Sequence, residues 1–390
     1  MAIIAIGVLL LPGCARFDDT AAGGAAWQPA PELTPEQGPQ PELPEVGGTG
    51  SPGQRPPGRS APQTSIPPPE GCTDHDPAVI GTCMDTISAV AAVPGDGTEP
   101  AALAAERTSG RILRVTEGAK PSPVAKLTVD ADGDGGLTGL ALSPSYHEDQ
   151  LVFAYITTAE DNRVVRFAAG QEPTPVLTGI PKGRTGNRGA LADDGKGFLL
   201  VATGDAGDPG AAADPKSLAG KVLRIDGTGE PAPGNPTAGS PIIASGLHSP
   251  GGLCTAPDGS RSWVTDRGRD SGALYRLEPG EPLGTPAWRW EDKPGIAGCV
   301  DWSDMVGVAM STAGNMQNLS IADDGSVTSK PQVIFDGKAS RGFGRLSGMD
   351  LLNEQLAVVG TVNKDGGRPV SSDDRVIVIA RPPDAGGGKD

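Results

Sequence analysis

The sequence predicts an all-β fold, a six-bladed β-propeller, and three observations carry that reading. A unit of short apolar strands recurs six times from about residue 86, at intervals of roughly 40–60 residues, the spacing of propeller blades. Gly (58) and Pro (39) are abundant and aromatic residues few (4%), a composition that suits many tight turns better than long helices. No amphipathic helix of useful length interrupts the pattern.

Each unit opens with an apolar strand, often begun by a Gly-Leu pair, and passes through an Asp-Gly-type turn into a second strand. A third strand of the form Gly-x-φ-φ-Arg-φ (φ apolar) closes it. The clearest copies are GLTGLALSPSYHEDQLVFAYI with DNRVVRF, RGALADDGKGFLLVATGD with AGKVLRID, and GGLCTAPDGSRSWVTDRG with GALYRLE. Weaker ones are ISAVAAVPGDG with GRILRVT, VGVAMSTAGNMQNLSIADDG with PQVIF, and LSGMDLLNEQLAVVGTV with DRVIVIA. Closing such a ring lets each blade bury its faces against its neighbours. A pair of two-sheet sandwiches would leave the recurrence unexplained. The propeller is expected over residues 72–381, followed by a disordered tail at 382–390.

Residues Ile3 to Leu11 form an apolar run that fits a signal-peptide hydrophobic region and is too short for a membrane-spanning helix. Leu11-Pro12-Gly13-Cys14 follows and resembles a bacterial lipobox, in which the Cys is acylated, palmitate among its lipids, and begins the mature chain. Residues 1–13 therefore read as a lipoprotein signal peptide and Cys14 as the lipidated residue, although no Lys or Arg precedes the run. From residue 14 to 71 the chain is Pro-, Gly- and polar-rich and cannot bury enough apolar surface to fold. It is expected to be a disordered tether with a root-mean-square reach of roughly 40 Å. A buried N-terminal strand with an incidental Cys is the competing reading. The expected location is the outer face of a cell membrane, held by the lipid, as a monomer.

A net charge of −16 repels phosphate backbones and argues against nucleic-acid binding. Beyond Cys14 four cysteines remain, an even number that suggests two disulfides in an exported protein. Of the three pairings, Cys72–Cys83 and Cys254–Cys299 are favoured, the first closing locally and the second joining neighbouring repeats. The spacings are not those of a zinc site, and three histidines are too few to complete one.

The stretch VATGDAGD…DPKSLAGKVLRIDGTGEPAPGNP at residues 201–236, with GGLTGLALSPSYHEDQLVFAYI and GLHSPGGLCTAPDGSRSWVTDRG, resembles the glucose/sorbosone dehydrogenases over most of residues 110–350. With its lipobox the whole chain resembles a mycobacterial-type envelope lipoprotein of that family. The resemblance implies a six-bladed propeller whose central funnel binds pyrroloquinoline quinone (PQQ), with calcium, and oxidises sugars.

Three motif positions depart from that pattern. The family's general base is a His just before a Gly-Gly-x-Leu strand; here the stretch reads Thr185-Gly186-Asn187-Arg188-Gly189-Ala190-Leu191, with Gly186 at the His position and Arg188 replacing a Gly. Neither Gly nor Thr accepts a sugar hydroxyl proton near neutral pH. The motif Gly-His-Arg-Asn-Pro-Gln-Gly reads Gly246-Leu247-His248-Ser249-Pro250-Gly251-Gly252, and of an Arg-x-Arg pair only Arg345 remains. His248 becomes the candidate for a relocated base, against a structural histidine. Arg184, Arg188, Arg267, Arg269, Arg341 and Arg345 all fall in loops beside these motifs, and two readings compete. Either they share the funnel mouth as a cationic patch for a carboxylate or phosphate ligand, or they are exposed and pair with Asp205, Asp208, Asp266 and Asp270. Asp205 and Asp266 are also ligand-contact candidates.

Asp130-Ala131-Asp132-Gly133-Asp134-Gly135 resembles the start of an EF-hand loop, but its twelfth position is Ala141, not Glu. Asn318-Leu319-Ser320 matches a glycosylation triplet at background frequency. A lactonase-like hydrolase would need a complete Asp/Glu/Asn set around a central calcium, and none is found. The leading expectation is a membrane-anchored binding or scaffolding module with a degenerate PQQ site, its ligand a small anion, a sugar or an envelope protein. The alternative is a PQQ-dependent sugar dehydrogenase with a rearranged site.

Overall fold

Apolar strands separated by Gly- and Asp-rich turns assemble, among the described residues, into six four-stranded antiparallel sheets. A computed structural model describes residues 66–95, 99–338 and 341–383. These belong to one unit, Thr64–Asp390. The expected signal peptide, Cys14 and the tether as far as residue 65 lie outside the described residues.

Blade 1 comprises β2 (Ile87–Ala92), β3 (Ala101–Glu106), β4 (Arg111–Thr116) and β5 (Ser122–Lys126), with β1 (Val79–Gly81) set apart ahead of it. Blade 2 has β6 (Leu137–Leu142), β7 (Val152–Thr157), β8 (Asn162–Phe167) and β9 (Thr174–Ile180). Blade 3 has β10 (Gly189–Asp193), β11 (Leu199–Thr203), β12 (Lys221–Ile225) and β13 (Ile242–Ser245). Blade 4 has β14 (Pro250–Thr255), β15 (Ser262–Arg267), β16 (Gly272–Arg276) and β17 (Trp288–Trp290). Blade 5 has β18 (Ile296–Asp301), β19 (Met305–Met310), β20 (Asn315–Ser320) and β21 (Gln332–Ile334). Blade 6 has β22 (Leu346–Leu351), β23 (Leu356–Thr361) and β24 (Val376–Ala380), and its outermost strand is β1, so the ring is closed by the first strand of the propeller.

Among the described residues there is no single core. Six apolar clusters fill the six interfaces between blades, which is why inner strands such as β3 and β7 are buried on both faces while outer strands such as β5 and β21 are exposed. The innermost strands pack in a closed cycle, β2, β6, β10, β14, β18, β22 and back to β2. They meet nearly backbone to backbone. A Cβ on Gly298 would lie 2.4 Å from the amide nitrogen of Met349, and one on Gly348 would lie 2.6 Å from Cα of Ala89. Both expected disulfides are present, Cys72–Cys83 and Cys254–Cys299, the second stapling β14 to β18 across the blade 4–5 interface.

Candidate functional site: an arginine-lined funnel

One hydrogen bond repeats at the same place in all six blades. The residue just before each innermost strand accepts at 2.7–2.9 Å from a backbone N–H at the end of the second strand: Thr86 from Arg107, Gly136 from Thr157, Arg188 from Gly204, Ser249 from Arg267, Gly295 from Ser311, and Arg345 from Val362. These twelve equivalent positions surround the axis at the end where the innermost strands begin. Four of them are arginine: Arg107, Arg188, Arg267 and Arg345. With Ser88, Ser311, Ser347 and Asp365 they line a hollow of ≈ 50 Å³.

The arginines are held by neutral groups. Arg107 Nη1 donates to the carbonyls of Gly135 (2.9 Å), Ala131 (3.3 Å) and Gly133 (3.4 Å). Arg267 Nε donates to Ile296 O (2.5 Å) and Nη2 to Ser311 Oγ (3.3 Å), and Arg345 Nη1 donates to Gly366 O (3.0 Å). The Nε atoms of Arg107 and Arg345 are buried without a partner. Among the described residues none of the four guanidiniums forms an ion pair, and Arg188 makes no side-chain hydrogen bond. Burial, then the neighbouring guanidiniums of Arg188 and Arg345, lower the proton affinity of Arg267 well below its ordinary value. Burial lowers that of Arg188 too, with Arg107 adding to it and Asp134 and Asp365 opposing.

The other predicted residues lie elsewhere. Asp266 precedes Arg267 on β15, so strand alternation turns its side chain away from the axis. There it accepts from the amides of His248 (3.0 Å) and Ser249 (2.7 Å), and burial holds its carboxyl above the usual range. Asp205, 2% exposed, meets His248 Nδ1 at 2.6 Å and the Gly207 amide at 2.8 Å. Both aspartates anchor the 246–252 loop, away from the arginine funnel, and Asp205 also lines a second cavity. The His248 ring faces a separate cavity of ≈ 420 Å³ beside Arg269 and Leu283, not the funnel. Nearby, buried Lys221 of the SLAGKVLRID motif donates Nζ to the carbonyls of Ala211, Ala212 and Ala219 (2.7–3.0 Å). That clamps the short helix α1 (Pro209–Ala213) to the wall of the same cavity.

Of the six loop arginines, three converge and three do not. Arg184 is exposed, Arg269 lies 3.8 Å from Asp205 at the surface, and Arg341 pairs with Asp76 over the ring of Phe343. In the acidic turn, Asp134 accepts from the amides of Gly186 (2.9 Å) and Asn187 (3.1 Å), and Asp130 pairs with Lys182 (2.5 Å), so these carboxylates bind protein. Asn318 of the glycosylation triplet is 2% exposed inside β20.

The glucose/sorbosone dehydrogenase family model matches residues 89–328. The chain belongs to the glucose/sorbosone dehydrogenase family. It is 27% identical over 179 residues to the aldose sugar dehydrogenase YliI of Escherichia coli K12, a match covering 41% of this chain and 48% of that one, about half the curated relative's length. The PQQ-bound aldose sugar dehydrogenase of Streptomyces coelicolor superposes with a TM-score of 0.70 at 28% identity, covering 81% of this chain and 100% of that one. A glucose dehydrogenase-type oxidoreductase of Thermus thermophilus gives 0.67 at 29% identity, covering 77% and 98%.

Set against this glucose/sorbosone dehydrogenase frame, the funnel matches PQQ in charge and fails it in shape. Guanidiniums suit three carboxylates. A hollow of ≈ 50 Å³, however, is far below the several hundred Å³ typical of cofactor sites, and Arg188 stands in it where the family has Gly. The base position is closed as well. Gly186 has φ +71°, and a Cβ there would lie 2.6 Å from Asp205 Oδ1 and 2.8 Å from the Gly207 nitrogen. The residues present do not fit PQQ with its catalytic base. Arg107 was missed in the sequence, although Ala-Glu-Arg107 and Thr-Asp-Arg267 end equivalent strands and this parallel would have exposed it.

Proposed function

We propose that this protein is an exported, lipid-anchored member of the glucose/sorbosone dehydrogenase family that binds a small anion of phosphate or carboxylate size in its axial funnel and has lost the sugar-oxidising chemistry. The observation that carries the reading is the set of four converging arginines without an ion pair among the described residues, in a chain of net charge −16. A cluster of four guanidiniums with Asp365 the one carboxylate among the described residues lining the hollow is costly unless a further anion completes it. Planar forks favour carboxylate or phosphate oxygens, and serine hydroxyls at Ser88, Ser311 and Ser347 supply neutral donors around them. Family membership and the arginines also favour a second reading, a PQQ-dependent sugar dehydrogenase with a rearranged site.

Calorimetric titration of the protein with acetate, inorganic phosphate and PQQ plus calcium separates the two. Salt-sensitive binding of an anion, weakened about tenfold or more by Arg188→Ala, with no dye reduction when PQQ and an aldose are added, is expected. Sustained PQQ-dependent turnover overturns the binding reading in favour of the dehydrogenase. The anchor rests on the lipobox-like residues Leu11 to Cys14 and the Pro/Gly-rich stretch after them. Labelled palmitate incorporated by the wild type and not by Cys14→Ser would support it; equal labelling, or none in either, would remove it.

A further inference from the structure

The axis also opens at the opposite end, where the innermost strands finish, into a cavity of ≈ 580 Å³. All six innermost strands contribute to it, and Leu140, Leu191, Leu253, Val300 and Met349 make its wall apolar. Among the described residues its charged groups are Asp193, Asp301, Asp350 and Glu354, with His147 the one basic side chain and no Lys or Arg. Asp301 is already satisfied, bidentate to Arg261 (2.8 and 2.9 Å) and bonded to Trp263 Nε1 (2.7 Å). Asp193 and Asp350 are not. Asp193 accepts only the Gly195 amide (2.8 Å), Asp350 only the Ala92 and Leu351 amides (2.8 and 2.9 Å), and neither has a counter-ion among the described residues.

We infer that this cavity is a second ligand site, for a small organic cation with an apolar body, such as a protonated or quaternary amine. The volume falls within the usual range for small-molecule pockets, and the lining has their composition, apolar walls with a few placed polar groups. Burial lifts the carboxyl groups of both Asp193 and Asp350 above their usual range, so a cation seated beside them would favour their ionised forms. A bare metal ion is a poor occupant, because apolar walls supply no oxygen shell and no three carboxylates converge among the described residues. The site is independent of the arginine funnel.

The probe is benzyltrimethylammonium, with neopentylbenzene as its uncharged isostere, titrated into protein carrying ¹³C-methyl methionine. Met349 is the methionine that lines the cavity, so its methyl resonance reports occupancy. The cation is expected to shift that resonance saturably and to bind about tenfold or more tightly than the isostere. Asp193→Asn should weaken the cation about tenfold, while Arg188→Ala at the other end leaves it unchanged. Asp350→Asn should act like Asp193→Asn, and if it fails to fold, Asp193→Asn alone decides. An unmoved Met349 methyl at ~10 mM cation, equal affinity for the isostere, or an unaffected Asp193→Asn variant each overturns the inference.

Discussion

At Gly186 a left-handed φ and the oxygen of Asp205 leave no room for a side chain, so loss of the family's base is fixed by the surrounding backbone as well as by the residue itself. Restoring the histidine should therefore fail. Gly186→His is expected to lower unfolding free energy by about 2 kcal/mol or more, from the positive φ and the clash together, and to produce no PQQ-dependent dye reduction. Denaturant unfolding and a turnover assay check both halves; a stable, active variant would show that the Asp205 loop moves aside. The arginines were partly legible in sequence. Arg188, Arg267 and Arg345 flank recognisable motifs, but nothing in the order of residues distinguishes them from Arg184, Arg269 and Arg341. What separates them is the direction each side chain takes from its strand. Arg267 faces the axis and Asp266, one residue earlier, faces away, a difference set by pleat and by neighbouring blades.

Among the elements, the inner strands of five blades were visible as recurring apolar runs, because they are buried between blades and need continuous hydrophobicity; in blade 5 the run VGVAM with PQVIF marked β19 and the outermost β21 and passed over the innermost β18. Outer strands of the other blades were not: β5 (Ser122–Lys126), for example, is short and exposed and carries no apolar signature, and β1 pairs with β24 from the opposite end of the propeller. The innermost strands also carry a pH dependence. Asp350 on β22 ties blade 6 to blade 1 through the Ala92 amide of β2, and burial raises its carboxyl to about 6. An unfolded Asp releases its proton near pH 3.9, so the native state binds more protons than the unfolded one between about pH 4 and 6. Stability from this group is complete below about pH 4 and is lost as pH rises to 6, by up to about 3 kcal/mol for a shift of about two units. Asp350→Asn should therefore compare more favourably with wild type at pH 7 than at pH 4. Urea unfolding at the two pH values measures the difference; an equal difference at both would show that the carboxyl titrates normally in the folded protein.

Across the whole molecule the axis is electrically polar, with guanidiniums at the end where the innermost strands begin and uncompensated carboxylates at the other. Sequence composition records only the sum, −16, and hides this separation. The closure of the ring has a mechanical consequence. β1 (Val79–Gly81) is held to β24 by few backbone pairs, Val79 opposite Ile377 and Gly81 opposite Val376, and it lies inside the loop that Cys72–Cys83 closes. A pull on the chain ahead of Cys72 passes through the sulfur bridge directly to residue 83, so the closing strand carries no tension. In the reduced protein the same pull runs through β1 and peels it away. Single-molecule stretching between the chain ends should show, only after reduction, an early lengthening of roughly 35 Å as residues 73–82 straighten. Identical traces before and after reduction would mean that β1 holds by itself. Otherwise the bridge works as a cable clamp, taking up the jerk on the line so that the latch of the ring stays shut.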